Sequence, residues 1–137
     1  TPKSEVFTAR GDIKGKSFEL TEWSTYQTVA FMSLDDKELA GSSRILVIQL
    51  PNLGSTMQKF SDKNLKVVEK WGTLPVLLER ARVKVAFTSA KQCTVQALKL
   101  DGSVAGPVAT SQVDGKTVFM LDNSALGGGT MVYLVMR

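Results

Sequence analysis

Two sets of residues in this chain could carry chemistry: aromatic rings set in polar stretches, and carboxylates near turns. Trp23 and Tyr26 both lie in EWSTYQ, residues 22–27, and Trp71 stands before Gly72 in a second such stretch. An aromatic ring offers a flat apolar face with a polar rim or tip. Such faces stack on the C–H faces of sugar rings while neighbouring amides and carboxylates bond the hydroxyls. Gln27, Gln58, Glu22 and Arg80 are placed to supply that polar half. The ligand-binding set this pattern points to is Trp23, Tyr26 and Trp71 as a platform, with Gln27 and Gln58 as hydrogen-bonding partners. The competing reading is that each ring caps the core, since tryptophan is highly buried on average. For Trp71, just ahead of the apolar run at residues 74–78, the core reading is the stronger one.

The carboxylates point to turns more than to catalysis. Asp35, Asp36, Asp101, Asp114 and Asp122 mostly stand in turns or beside glycine, where an aspartate bonds its local backbone. A structural calcium ion needs six or more oxygens, which Asp122-Asn123 or Asp35-Asp36 could begin to gather, but no loop has the spacing of a dedicated calcium motif. Glycoside hydrolysis needs two facing carboxylates, and nothing pairs any two of Glu5, Glu19, Glu22, Glu38, Glu69 and Glu79. The chain has no histidine, which removes Ser-His-Asp and Cys-His arrangements and the commonest base at neutral pH. The single Cys93 excludes an internal disulfide and builds no zinc site alone. Gly127-Gly128-Gly129 lacks the lysine and Ser/Thr of a phosphate loop and reads as a flexible turn. No catalytic residue is assigned, no cofactor is expected, and the chain reads as a non-enzyme.

Partners are narrowed by charge and length. The net charge of +4 comes from scattered lysines and arginines, without the clustering of a nucleic-acid footprint. No run approaches the ~20 apolar residues of a membrane helix. A chain of 137 residues suits one domain, 1–137, with a proper core. It begins at Thr1, and residues 1–4 read as the remnant of a linker from a longer protein.

The elements that must position these residues are strands. Residues 5–9, 16–21 and 28–34 read as short strands, the second with Phe18 and Leu20 on one face. The stretch 33–50, SLDDKELAGSSRILVIQL, reads as a hairpin-like unit turning at Asp35-Asp36 with a core return strand at 44–50. A loop is expected over 51–59 and a strand at 66–70, although residues 61–71 also fit a helical face. Strands follow at 75–79 and at 82–88, where Val83, Val85 and Phe87 face inward and Arg82, Lys84 and Ala86 outward. Residues 94–100 pair with 104–109 across Asp101-Gly102, residues 117–121 pair across Asp114-Gly115, and 130–136 form a last apolar strand. About nine or ten short strands predict an all-β sandwich of jelly-roll or Greek-key type.

Four segments carry a family resemblance: SLDDKELAGSSRILVIQLPNLGSTMQKF, WGTLPVLLERARVKVAF, ALKLDGSVAGPV and the closing YLVMR. Together they resemble the accessory β-sandwich domains that follow the catalytic barrel in large secreted bacterial glycoside hydrolases. The family's patterned positions map onto Ser33-Leu34-Asp35, Ser43-Arg44-Ile45-Leu46, Trp71-Gly72 with Pro75, and Leu100-Asp101-Gly102, across roughly the last hundred residues. Asp36 stands where the family carries a turn glycine, which requires another turn geometry or a left-handed aspartate. The resemblance implies an extracellular bacterial setting and a covalently linked catalytic domain. Two roles follow from it: a carbohydrate-binding module holding its enzyme on plant cell-wall polysaccharide of the β-glucan type, or a structural sandwich packing against the barrel with no ligand. In the second role the same aromatics would serve as a domain interface.

Overall fold

The computed structural model describes residues 1–89, 91–126 and 129–137; the glycine turn expected at 127–129 lies outside them except for Gly129. The described residues are all-β, and fifteen strands appear among them where nine or ten were expected. In order they are β1 (Ser4–Ala9), β2 (Ile13–Lys14), β3 (Phe18–Thr21), β4 (Gln27–Ser33), β5 (Arg44–Leu50), β6 (Leu53–Thr56), β7 (Lys59–Phe60), β8 (Val68–Lys70), β9 (Thr73–Leu78), β10 (Arg82–Thr88), β11 (Thr94–Leu98), β12 (Val104–Val108), β13 (Thr110–Val113), β14 (Lys116–Asp122) and β15 (Val132–Met136). Much of the excess comes from short β2 and from residues 53–70, where the expected loop carries β6 and β7.

Two antiparallel sheets form a sandwich. One has six strands in the order β1-β4-β5-β15-β11-β12, the other five in the order β13-β14-β10-β3-β2. Hairpins stay within a sheet, while the connections β1 to β2, β3 to β4, β5 to β10, β10 to β11, β12 to β13 and β14 to β15 cross between sheets. The core follows from strict period-two burial on the facing strands. Phe18 stacks between Phe31 and Phe87, with ring centroids 3.8 and 4.5 Å away, and Phe7 meets Phe31 edge-on. Val83, Val85 and Phe87 are buried as their alternation predicts.

The motifs behind the resemblance are turn and closure devices. The Asp35 carboxylate accepts hydrogen bonds from the hydroxyls of Ser33, Ser42 and Ser43 and from the Ser43 N–H, at 2.7–3.0 Å. These donors, led by Ser42, hold its pKa far below the ordinary carboxylate range. Asp36 has φ 61° and so takes the left-handed geometry that the missing glycine would have taken. The Asp101 carboxylate likewise accepts from the Ser103 hydroxyl and N–H, which lowers its pKa. At the other end Arg137 donates to the Leu39 and Ala40 carbonyls and covers the Phe87 ring at 4.7 Å. Residues 1–4, expected as linker, join the sheet edge: the Pro2 and Lys3 carbonyls accept from the N–H groups of Leu39 and Ser33.

Candidate functional site

The outer faces of the two sheets differ in kind. On the five-stranded sheet the outward residues include Glu19, Lys84, Arg82, Lys116 and Asp122, and this face is laced with ion pairs. Glu19 lies between Lys116 at 2.6 Å and Lys14 at 2.7 Å, which hold its pKa down to about 2. That is the polar, solvated face expected of an antiparallel sheet in water.

The six-stranded sheet presents the opposite. Its register sets Val6, Ala30, Ile48, Val132, Leu98 and Val104 in one transverse row. The next row is Ser4, Met32, Leu46, Leu134, Gln96 and Pro107. All of these residues are partly or fully exposed, because the core takes their neighbours of opposite parity. The flanking rows are Thr8-Thr28-Leu50 and Arg44-Met136-Thr94, so Arg44 at the perimeter is the one charged side chain among these four rows. A contiguous, mostly apolar face across six strands, with Ser4 and Gln96 its polar members, is the kind of surface that marks an interaction site.

A second apolar surface comes from residues 52–80, none of which is buried. Strands β6 and β9 pair, β7 and β8 pair, and the doubled ribbon forms an arm between β5 and β10. The arm kinks where Met57 (φ 60°) meets Gly72 (φ 80°). A Cβ on Gly72 would stand 2.5 Å from the Thr56 carbonyl oxygen, so only glycine fits that crossing. Along the arm Leu53, Met57, Leu65, Val67, Trp71, Leu74, Val76 and Leu77 are exposed, with Leu74 at 83% and Trp71 at 77%.

Buried polar groups root the arm. Gln49, fully buried, donates to the Gln27 side-chain oxygen at 2.8 Å and the Ala81 carbonyl at 3.1 Å, and accepts from the Tyr133 hydroxyl at 3.1 Å. Gln27 donates to the Arg82 carbonyl, and the Asn123 amide grips the Ala81 N–H and the Glu79 carbonyl. Burial pushes the Tyr133 phenol pKa up, so it stays a neutral donor. Strands from both sheets thus fix residues 79–82, where the arm returns.

The five expected ligand-binding residues are not brought to one platform. Trp23 packs against the core with its indole N–H bonded to the Leu20 carbonyl at 3.2 Å, so it closes the sandwich instead of presenting a face. Gln27 lies in the wall of the groove beside Tyr26 but is only 2% exposed, and its amide is taken up by the root just described. The physical reason is parity: Gln27 lies in phase with inward Val29 and Phe31 on β4. Gln58 caps the arm's turn by accepting from the Ser55 N–H at 3.1 Å. Trp71 is exposed beside that same kink, contrary to the core reading preferred for it from sequence. Tyr26 is 61% exposed and lines a groove of about 410 Å³ with Thr28, Leu50, Asn52, Glu79 and, from the arm's turn, Leu65. The outer apolar face and the arm's strip were missed from sequence. The signal for the face lay in the unbroken apolar runs RILVIQL and MVYLVM, which suit strands covered on both sides.

Among the described residues no three His, Cys, Asp or Glu side chains gather where they could hold a metal ion. Compared with protein-family models, curated proteins and solved structures, the chain finds no match.

Proposed function

We propose that this chain is a non-catalytic accessory β-sandwich that docks, through the outer face of its six-stranded sheet, against a catalytic barrel in the same extracellular bacterial polypeptide. The observation that carries this reading is the pair of apolar rows, free of charge, on that face. A face without charges suits a permanent partner, since obligate interfaces are the more hydrophobic class and transient ones keep polar surface. The resemblance to domains that follow glycoside-hydrolase barrels supplies the partner's identity. The charged face of the other sheet then points to solvent.

The test is side-chain accessibility in the longer polypeptide and in the domain alone. A thiol placed by Leu46→Cys should react rapidly in the isolated domain and be protected by at least about tenfold when the barrel is attached. Equal reactivity in the two contexts would end this reading.

One observation favours a second reading. Tyr26 stands at a groove with Asn52 and Glu79, a ring beside polar groups of the kind that holds a sugar. On this reading the domain binds β-glucan-type polysaccharide and raises the local substrate concentration for its enzyme. Affinity electrophoresis in gels of β-glucan, xylan or mannan tests it: retardation lost in Tyr26→Ala supports the groove, and no retardation on any polysaccharide refutes it.

A further inference from the structure

The kink of the arm gathers exposed apolar side chains at one place. Met57, Trp71 and Leu74 are among the most exposed large apolar residues of the chain, and all stand at the kink or within two residues of Gly72. Met57 holds a left-handed φ of 60°, which non-glycine residues adopt rarely and keep mainly at functional positions. The backbone around it is tied down. Gln58 donates its N–H to the Ser55 carbonyl at 3.0 Å, and the Thr56 hydroxyl donates to the Pro75 carbonyl at 2.8 Å. The elbow therefore presents its apolar groups on a fixed frame.

The charges beside the elbow are mostly of one sign. On the first rung beyond it Lys59 of β7 pairs directly with Lys70 of β8. Directly opposed residues have Cβ atoms about 4.5–5.5 Å apart on one face, and like charges so placed repel. Glu69 occupies the bulge where the register slips, and the Asp62 carboxylate accepts from the Lys66 N–H at 3.0 Å. Lys59, Lys63, Lys66 and Lys70 are all exposed, and among the described residues none makes a salt bridge. Against Asp62 and Glu69, these four lysines leave residues 59–70 with a net charge of +2. Two lysines held together without a carboxylate are matched by an external anion, and the elbow next to them by an apolar medium. Lysine is depleted from protein–protein interfaces, so the combination disfavours a protein partner here. An anionic lipid surface supplies both needs at one depth, since tryptophan settles at headgroup level and lysine reaches from apolar surface to a charged headgroup.

We infer that the elbow of the arm is a lipid-binding site, with Met57, Trp71 and Leu74 entering the headgroup region of an anionic membrane and Lys59 and Lys70 meeting its phosphates. The contact is interfacial, because β6 and β9, with four and six residues, are shorter than the about 9–11 residues of a membrane-spanning strand. It uses none of the residues in the rows that carry the docking reading and does not depend on that reading.

Cosedimentation of the whole chain with vesicles of phosphatidylglycerol and phosphatidylcholine in equal parts tests the inference. The wild type should pellet with these vesicles, stay in solution with phosphatidylcholine alone, and be released as salt rises. Each lysine near an anionic surface contributes about fivefold to partition, so Lys59→Gln with Lys70→Gln should lower it by about 25-fold. Trp71→Ala should lower it by about tenfold. The chain has two tryptophans and Trp23 packs against the core, so a blue shift of emission on vesicles reports Trp71 and should vanish in Trp71→Phe. Failure to pellet with the anionic vesicles at low salt would overturn the inference, as would equal binding to phosphatidylcholine alone. Binding that needs the lysines but ignores Trp71→Ala and gives no blue shift would mean a phosphate site without insertion, which also overturns it. Pelleting lost in Ile48→Lys but kept in Trp71→Ala would move the lipid contact to the outer face of the sheet and sink the elbow. Lipid-free self-association abolished by Trp71→Ala would make a second copy the occupant instead.

Discussion

Replacing Gln49 by methionine tests whether the buried polar root holds the sandwich and the arm together. The two side chains are close in volume and both unbranched, so packing changes little. What is lost is three hydrogen bonds in a site with no solvent access. The Tyr133 hydroxyl keeps a second acceptor in the Thr130 carbonyl at 3.4 Å, so it is not stranded. The Ala81 carbonyl keeps the Asn123 N–H at 3.3 Å, so the one buried group left without a partner is the Gln27 side-chain oxygen, which loses its bond from Gln49. One orphaned buried acceptor costs about 1–3 kcal/mol. Against a domain stability of about 5–15 kcal/mol that is a large fraction. Urea unfolding should show the midpoint falling by about 1 M with the slope unchanged. The exposed Gln92→Met serves as control and should stay within about 0.5 kcal/mol of wild type. Hydrogen exchange at Ala81 and Arg82 should accelerate more than exchange in β10 beyond Val83, because the root opens first. A loss below about 1 kcal/mol would refute the reasoning, since it would mean that these polar groups carry no net stabilisation.

Three further outcomes are expected. Trp23→Ala should cost about 2 kcal/mol by thermal or chemical melt, while Trp71→Ala should stay within about 0.5 kcal/mol, because one ring packs on the core and the other faces solvent. Gly72→Ala should open the arm to limited proteolysis between residues 53 and 78 while the sandwich persists, since its Cβ would collide with the Thr56 carbonyl and its φ is +80°. Glu19, whose folded pKa is lowered to about 2 from 4.5, contributes stability that is complete above the unfolded value and lost as pH falls from about 4.5 towards 2; in Lys116→Met its carboxyl titration, followed by NMR, should move up towards the ordinary value.

The sequence was most legible where one face is wet. Residues 82–88 read as RVKVAFT, and the alternation of valine and phenylalanine with arginine and lysine places the strand and its inward side together. The bounds of β5 were equally plain, but its facing was not. In RILVIQL the residues of one parity are Ile45, Val47 and Gln49, those of the other Leu46, Ile48 and Leu50. Hydrophobicity alone would send the second set inward, and the fold buries the first, glutamine included. Gln49 is tolerated there because the buried Gln27 oxygen needs a donor, and the Ala81 carbonyl takes a second one beside the Asn123 N–H, partners that appear only once the arm's return is in place. Gln27 was misjudged for the same reason: its polar neighbours suggested exposure, while its parity with Val29 and Phe31 set it in the core. The arm escaped notice because β6 and β7 are too short and too mixed to show a period against turn residues such as Gly54 and Ser55.

The comparison of β5 with β10 carries the functional argument further than either does alone. Both have seven residues, the same exposed-buried alternation, and a position near the middle of their sheet. Their outward residues differ: Arg44, Leu46, Ile48 and Leu50 on one, Arg82, Lys84, Ala86 and Thr88 on the other. Strand propensity favours apolar β-branched residues at any sheet position, but it acts on both strands alike and cannot produce the contrast. Nor can the internal core, which the inward residues already fill on each side. The outward apolar set on β5 continues through β4 and β15 and on to β11, in register, so it is a property of the sheet and not of one strand. An apolar layer confined to one face of a two-sheet protein is what a third layer would need, and this chain of two layers does not contain one. On the docking reading proposed above, the catalytic barrel would supply that layer.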